Sequence, residues 1–235
     1  YELSNPDDKI VYKGVVFNEM KGVFSDPESC VDRQLAHSLF PSTTYGYESG
    51  GDPNRIPDLT YEDFKEFHEK HYHPSNSRIF LYGDGDTGEY LSFLHEKYLK
   101  DFNRIVVNTS IKNQRSFRKP KRKTFNYPVS SDESMDNKTY VVIGFKLDRA
   151  VNYEHCLGFS ILSHLLIGTS ASPLRKALID SQLGSEIFGG GFDDNRADTL
   201  FAVGLKGTEG KYEEKILEII DSTLKNLVEN GIEED

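Results

Sequence analysis

The groups in this chain best suited to hold a metal ion or move a proton are its seven histidines, two cysteines and 38 acidic side chains. Three of the histidines fall in FHEKHYHP, which holds His68, Glu69, His71 and His73. A zinc-protease helix needs two histidines at a spacing of four, so that both imidazoles leave one face toward one ion. Here the helical pair His68 and His71 is three apart, and His73 stands at the helix end beside Pro74. Neither HExxH nor HxxEH occurs here, nor around His37, His95, His155 or His164. The cluster therefore reads as a polar helix face with a terminal histidine near the helix's negative end. The glycine stretches SGGDP (Ser49–Pro53) and GGGF (Gly189–Phe192) match neither phosphate-binding pattern, and no GxSxG nucleophile elbow is present.

A different acid is harder to dismiss. In VYKGVVFNEMKG, Val11 to Gly22, Glu19 follows closely on Val15, Val16 and Phe17, which read as core. A carboxylate at the edge of a buried run is unfavourable unless something pairs with it. From the residues alone, Glu19 is a helix N-terminal charge, half of a salt bridge, or a functional group.

The elements that must position these groups follow from periodicity. Val11–Phe17 suits a strand, with helix competing because of Gly14; Met20–Leu39 reads as a helix, and Pro41–Asp58 as a long glycine-rich loop. Thr60 and Asp63 form a capping-box variant at the head of a helix that Pro74 ends. RIFLYGD (Arg78–Asp84) reads as a buried strand and Glu89–Leu99 as an amphipathic helix. Residues 103–123 look like a connection; seven Lys or Arg and no acid lie between Lys112 and Lys123, a solvated linker or a docking site for something acidic. Strands are predicted at TFNYPV (Thr124–Val129), TYVVIGFKL (Thr139–Leu147) and TLFAVGLKG (Thr199–Gly207). Helices are predicted at Asn152–Gly168, at Ser172–Gln182 with Ser172 as N-cap and Pro173 at N1, and at Tyr212–Val228. This mixture argues for an α+β fold rather than a parallel βαβ array.

Bulk composition narrows the function classes. Hydrophobic content of 37% supports a real core, and a net charge of −10 argues against nucleic-acid binding. The longest apolar run, Cys156–Ile167, is short and interrupted by Gly158, Ser160, Ser163 and His164, so no membrane span is expected and the chain reads as soluble. Cys30 and Cys156 are far apart without CxxC spacing, which suggests reduced thiols without excluding one bridge. With no initiator Met and no targeting pattern, the chain reads as a piece of a longer polypeptide.

The block VYKGVVFNEMKG, followed by YGYESGGDPNRIPDLTYEDFKEFHEKHYHPSNSRIFLYGD, resembles the presequence-protease and falcilysin-like branch of the pitrilysin/insulinase zinc metalloproteases. Several blocks in one order over about seventy residues carry the likeness, and IGTSASPLRKALIDSQLG with FAVGLKG resembles the start of that family's second domain. The resemblance implies parts of two homologous metalloprotease-type domains, each a largely antiparallel sheet packed with helices. Residues 1–102 would be the C-terminal part of the first, 103–123 a basic linker, and 124–235 the N-terminal part of the second.

It also implies a catalytic Zn2+ ion held by two histidines of an HxxEH helix and by a glutamate on a later helix. The glutamate of the NEMKG block matches that third ligand, making Glu19 the metal-ligand candidate. HxxEH is absent from all 235 residues, so no catalytic residue is assigned here: the general base is expected upstream, and the piece alone is expected to be inactive with zinc absent or weakly bound. The implied parent degrades unfolded, targeting-peptide-like substrates in a closed chamber, in the mitochondrial matrix or another organelle. Its partners are those peptides and the remaining segments of the same polypeptide, with no nucleic acid. A non-catalytic scaffold or partner subunit of the same fold is the alternative.

Overall fold

The computed structural model of the chain describes residue 5, residue 7 and residues 9–232. They form two compact units: residues 1–51 with 111–235, and residues 52–110.

The first unit is built on a three-stranded antiparallel sheet of order β1-β3-β2, with β1 at Thr139–Arg149, β2 at Glu186–Asp193 and β3 at Asp198–Thr208. The architecture is α+β, as the mixed pattern predicted. In β3 the alternation is clean, and both faces of the strand are covered. Val203 and Leu205, with Val141 of β1, pack against helices α6 (Pro173–Asp180) and α7 (Glu213–Asn230) through Leu174, Leu178, Ile216 and Ile220. Leu200 and Ala202 face the other way, onto helix α2 (Pro27–Leu39) through Leu39 and Phe40, with Leu35 beside them. The unit is thus a helix–sheet–helix sandwich. Small residues let the layers meet: a Cβ at Gly144 would stand 2.6 Å from Leu35 Cδ1.

Two polar contacts, one buried and one partly exposed, tie α2's side of the sheet to distant chain. Asp198, almost wholly buried, accepts a hydrogen bond from Gln114 N at 2.8 Å and faces Lys146 Nζ at 3.3 Å. At the other end, Lys206 Nζ donates to Glu28 Oε1 of α2 at 2.8 Å and lies 3.1 Å from Glu186 Oε2, and these carboxylates hold its ammonium well above the usual lysine range.

Several expectations need correction. Val11–Phe17 is no strand: Val11 makes an isolated bridge, and helix α1 (Val15–Ser25) begins after Gly14 with Val15 and Val16 exposed, not in a core. Met20–Leu39 is two helices, because extended Asp26 caps α2 by accepting from Ser29 N and Pro27 takes its N1 position. Thr124–Val129 joins no ladder; Pro128 has no N–H to donate, and Tyr127 packs edge-on against Tyr140, which packs against Phe188. Ser172 and Pro173 hold their predicted places, but the Ser172 hydroxyl caps nothing in its own helix and instead accepts from Thr169 N.

The run Tyr153–Asp180 holds α5 (Tyr153–Ser163), a π-helical turn (His164–Gly168) and α6. By length and composition it could cross a membrane. It is interrupted at residues 169–172, and its two ends differ: α6 buries Leu174 and Leu178 in the sandwich, whereas α5 leaves Leu157 and Ile161 exposed. Both cysteines are buried and free.

The second unit carries helix α3 (Tyr61–His71), with the full capping box of Thr60 and Asp63, and helix α4 (Thr87–Leu94), which runs into a π-helical turn at His95–Leu99. Arg78–Asp84 is not a buried strand here; Ile79 to Tyr82 are exposed and unpaired with any other strand. Among the described residues of 52–110, none is buried.

Acid sensitivity follows from the carboxylates of the first unit. Asp148 is held below the usual range by the Arg149 N–H, by His155 and by Asn152. Asp26 is lowered by Ser29; for Asp193 burial pushes upward, but Asn195 and Arg196 outweigh it. A depressed folded pKa stabilises above the unfolded value of about 3.9 and is lost as pH falls through the folded value. Asp32, raised by burial and by Glu28, has the opposite sign. Three groups against one predict a melting temperature that drops steadily as pH is lowered below about 4. Thermal melts across pH 6 to 3 check this, and a rise on acidification would contradict it.

Candidate functional site

Helix α1 presents Glu19. Gly14 offers no side-chain cap, so the helix starts on backbone alone, with Asn18 N donating to Gly14 O at 2.9 Å. One side chain of α1, Met20, is buried and fixes the helix's rotation. It seats on the glycine loop: a Cβ at Gly50 would lie 2.2 Å from Met20 Sδ. The NEMKG and SGGDP blocks, separate in sequence, are therefore in contact, and Gly50 is small because Met20 occupies the space a side chain would need. Phe17 is half-buried, with Tyr12 at 6.0 Å and Lys21 Nζ over its ring at 5.6 Å.

With Met20 inward, Glu19 points away from the body and is exposed. Its neighbours one turn back are Val15 and Val16, 85% and 55% exposed. The face is thus a carboxylate beside two uncovered apolar side chains. Glu19 lies in the second turn, past the reach of a helix N-terminal charge effect, and makes no ion pair among the described residues. Both structural explanations for a glutamate at this position fail.

Whether these residues suit a metal is a separate matter. Among the described residues no three His, Cys, Asp or Glu side chains converge as a metal site. Glu19 fits the part of a single donor, an unpaired carboxylate on a rigid helix, and a catalytic zinc needs three protein ligands. One carboxylate falls short of that number.

The histidines of FHEKHYHP have partners within their own unit. His68 stacks on Tyr72 at 4.7 Å, His71 lies against Phe67 at 4.6 Å, and His73 Nδ1 accepts from Ser75 N at 3.1 Å. The GGG stretch lies in β2, where residues 189–191 all have positive φ and make a bulge between Phe188 and Gly191. In another titratable cluster Asn152 caps α5 by accepting from His155 N and donates to Asp148 Oδ2, which lies 2.5 Å from His155 Nδ1.

A family profile described as the peptidase M16 inactive domain matches residues 58–235. The protein HypA of Clostridium perfringens is 43% identical over the whole of this chain, and presequence protease 1, chloroplastic/mitochondrial, of Arabidopsis thaliana is likewise 43% identical over all of it. The mitochondrial presequence protease of Xenopus laevis is 39% identical over 99% of the chain. The chain spans 22–24% of the length of these relatives. Among solved structures, a peptidase M16 inactive domain from Pseudomonas fluorescens aligns with a TM-score of 0.67 at 19% identity, over 92% of this chain and 51% of that one. A protease from Helicobacter pylori aligns with a TM-score of 0.59 at 18% identity, over 93% and 52%. At such identities the likeness is one of fold.

Proposed function

The chain belongs to the peptidase M16 family, through its inactive domain, and from that premise we propose that it is part of a longer zinc metallopeptidase that degrades unfolded, targeting-peptide-like substrates inside a closed chamber. The observation that carries this is the relatives' identity: about two residues in five match presequence proteases over essentially the entire chain, a span that contains the NEMKG block. In this reading residues 1–102 complete the zinc-binding domain, 103–123 link, and 124–235 open the second homologous domain. The setting is the mitochondrial matrix or another organelle.

Glu19 is the third zinc ligand in this proposal, the two histidines and the general base coming from elsewhere in the parent. Zinc, when bound, supplies Lewis acidity and lowers the pKa of a water molecule. What this chain's residues do is narrower. Met20 on Gly50 locks the rotation of α1, so the backbone that carries Glu19 is held at a fixed height and bearing. Val15 and Val16 on the same face exclude water from around it once covered. The net charge of −10 favours approach of basic peptides, and added salt weakens that attraction. By itself the chain hydrolyses nothing, because one carboxylate makes a weak zinc site.

The inactive-domain match favours a second reading, in which the parent is a scaffold or partner subunit that holds no zinc. One experiment separates the two. In the full-length protein, Glu19→Gln should reduce bound zinc, measured by mass spectrometry of the metal, at least tenfold and slow cleavage of a basic unfolded peptide by at least about a hundredfold. Its melting temperature should stay unchanged apart from the lost metal, since Glu19 is exposed. Unchanged zinc content and activity would refute the ligand assignment, and cleavage that survives a chelator would refute the metal mechanism.

A further inference from the structure

Met20, the buried side chain of α1, seats at Gly50 on a loop, residues 41–51, whose own secondary structure is one 3-10 turn at Thr44–Gly46. Such a loop holds a helix in place only if it is itself fixed. Two of its ties reach the sheet, and both end where β3 begins. Ser42 N donates to Gln114 Oε1 at 3.0 Å, and Gln114 N donates in turn to Asp198 Oδ2 at 2.8 Å. Further along the loop, Tyr45 Oη accepts from Ala197 N at 3.0 Å. Gln114 is distant from Ser42 in sequence because the chain leaves the first unit after Gly51 and is back in it at Ile111.

Gln114 is 6% exposed, the one buried residue of the segment 103–123. Burying an amide is unfavourable unless its polar atoms are paired, and here they are: Oε1 takes the Ser42 N–H while Nε2 donates to Arg115 O at 3.1 Å. The orientation is fixed, since a flipped amide would set its NH2 against an N–H and its oxygen against a carbonyl.

We infer that Gln114 is a positioning residue for the Glu19 site: its side chain ties loop 41–51 to the start of β3, and the loop, through Gly50 beneath Met20, sets the placement of α1. The consequence for a metal rests on the reading of Glu19 as a zinc ligand; the coupling from Gln114 to α1 does not. Ser42 is exposed, so without Gln114 its N–H turns to water and no donor is stranded. The loss is therefore one of placement more than of folding.

Hydrogen exchange of the full-length, chelator-treated protein, with zinc affinity measured separately by competition with a chelator, tests this. Gln114→Met keeps the stem and removes the acceptor. The expected result is exchange at least about fivefold faster in peptides spanning 42–51 and 15–25, with β3 peptides unchanged, and zinc bound at least about fivefold more weakly. Tyr45→Phe, which removes the second tie, should act in the same direction. Ile220→Val, in α7 on the opposite face of the sheet, trims the core without touching the loop and should leave both readouts unchanged. Unchanged exchange at 15–25 in both loop variants would overturn the proposal, as would faster exchange spread equally over β3, the mark of general loosening. Zinc affinity that holds in Gln114→Met but falls in Glu19→Gln would overturn it as well. If Glu19→Gln itself retains zinc, the ligand assignment fails, and exchange at 15–25 alone decides whether Gln114 sets α1.

Discussion

Lys146→Met is expected to lower the stability of the sheet unit by about 3–5 kcal/mol, the cost of removing one partner from a buried ion pair. Asp198 is 1% exposed, and Oδ1 has no hydrogen-bond donor; its compensation is the Lys146 ammonium at 3.3 Å. Methionine matches the length of lysine's stem, so packing against the sheet is retained and the lost charge dominates. Urea unfolding followed by far-ultraviolet circular dichroism reads the difference. The double change Lys146→Met with Asp198→Asn should recover most of it, since an asparagine oxygen can still accept from Gln114 N and no charge is left stranded. A single variant within about 0.5 kcal/mol of the parent would show that water reaches Asp198 and that the pair is not structural.

Gly204→Ala is the second large effect, expected to cost at least about 3 kcal/mol, the upper end of overpacking penalties. Gly204 lies at the middle of the central strand, paired with Val142 on one side and Phe188 on the other. A Cβ there would stand 1.9 Å from the carbonyl oxygen of Val141 and 2.8 Å from Val142 Cα. Both are backbone atoms of β1, so relief requires the two strands to separate and the ladder to weaken. Gly158→Ala is the control: in α5 the added methyl meets nothing within 4 Å, and exchanging glycine for alanine in a helix should stabilise by about 0.5–1 kcal/mol. Opposite signs from the same chemical change would isolate the clash from glycine's backbone entropy. Equal, small effects would mean that β1 and β3 can part at little cost.

Helices were the legible part of the fold. Capping residues and apolar spacing located α3, α5, α6 and α7, because a helix is stabilised by neighbours three and four residues away and so announces itself locally. Strand β2 was missed. Its centre is Gly189–Gly191, whose positive φ values make the bulge, and three glycines erase the alternation that marks a strand. Thr124–Val129 was read as a strand from composition, yet strand pairing depends on a partner that composition does not name. The Asp198–Lys146 pair was also invisible, since the contact joins chain ends of different strands and Asp198 in the sequence looks like a turn residue. For the candidate site, motif order picked out Glu19, while the reason first given for its oddity was wrong. It does not end a buried run; it stands on an open helix face, and what fixes it is Met20 on Gly50.

The sandwich has a consequence in time. Helix α2 packs on a sheet whose first strand begins a hundred residues later, at Thr139. At roughly 5–20 residues per second of synthesis, α2 exists for about 5–20 s before any strand is available to it. Through that interval Leu35, Leu39 and Phe40 have no sheet to lie on, and β3, which carries Leu200 and Ala202, arrives later still. The half of the sandwich made of β1, α6, β2, β3 and α7 is contiguous in sequence and can assemble among near neighbours, whereas the α2 layer must close a long loop to join it. Helix α2 is therefore made early and docks late.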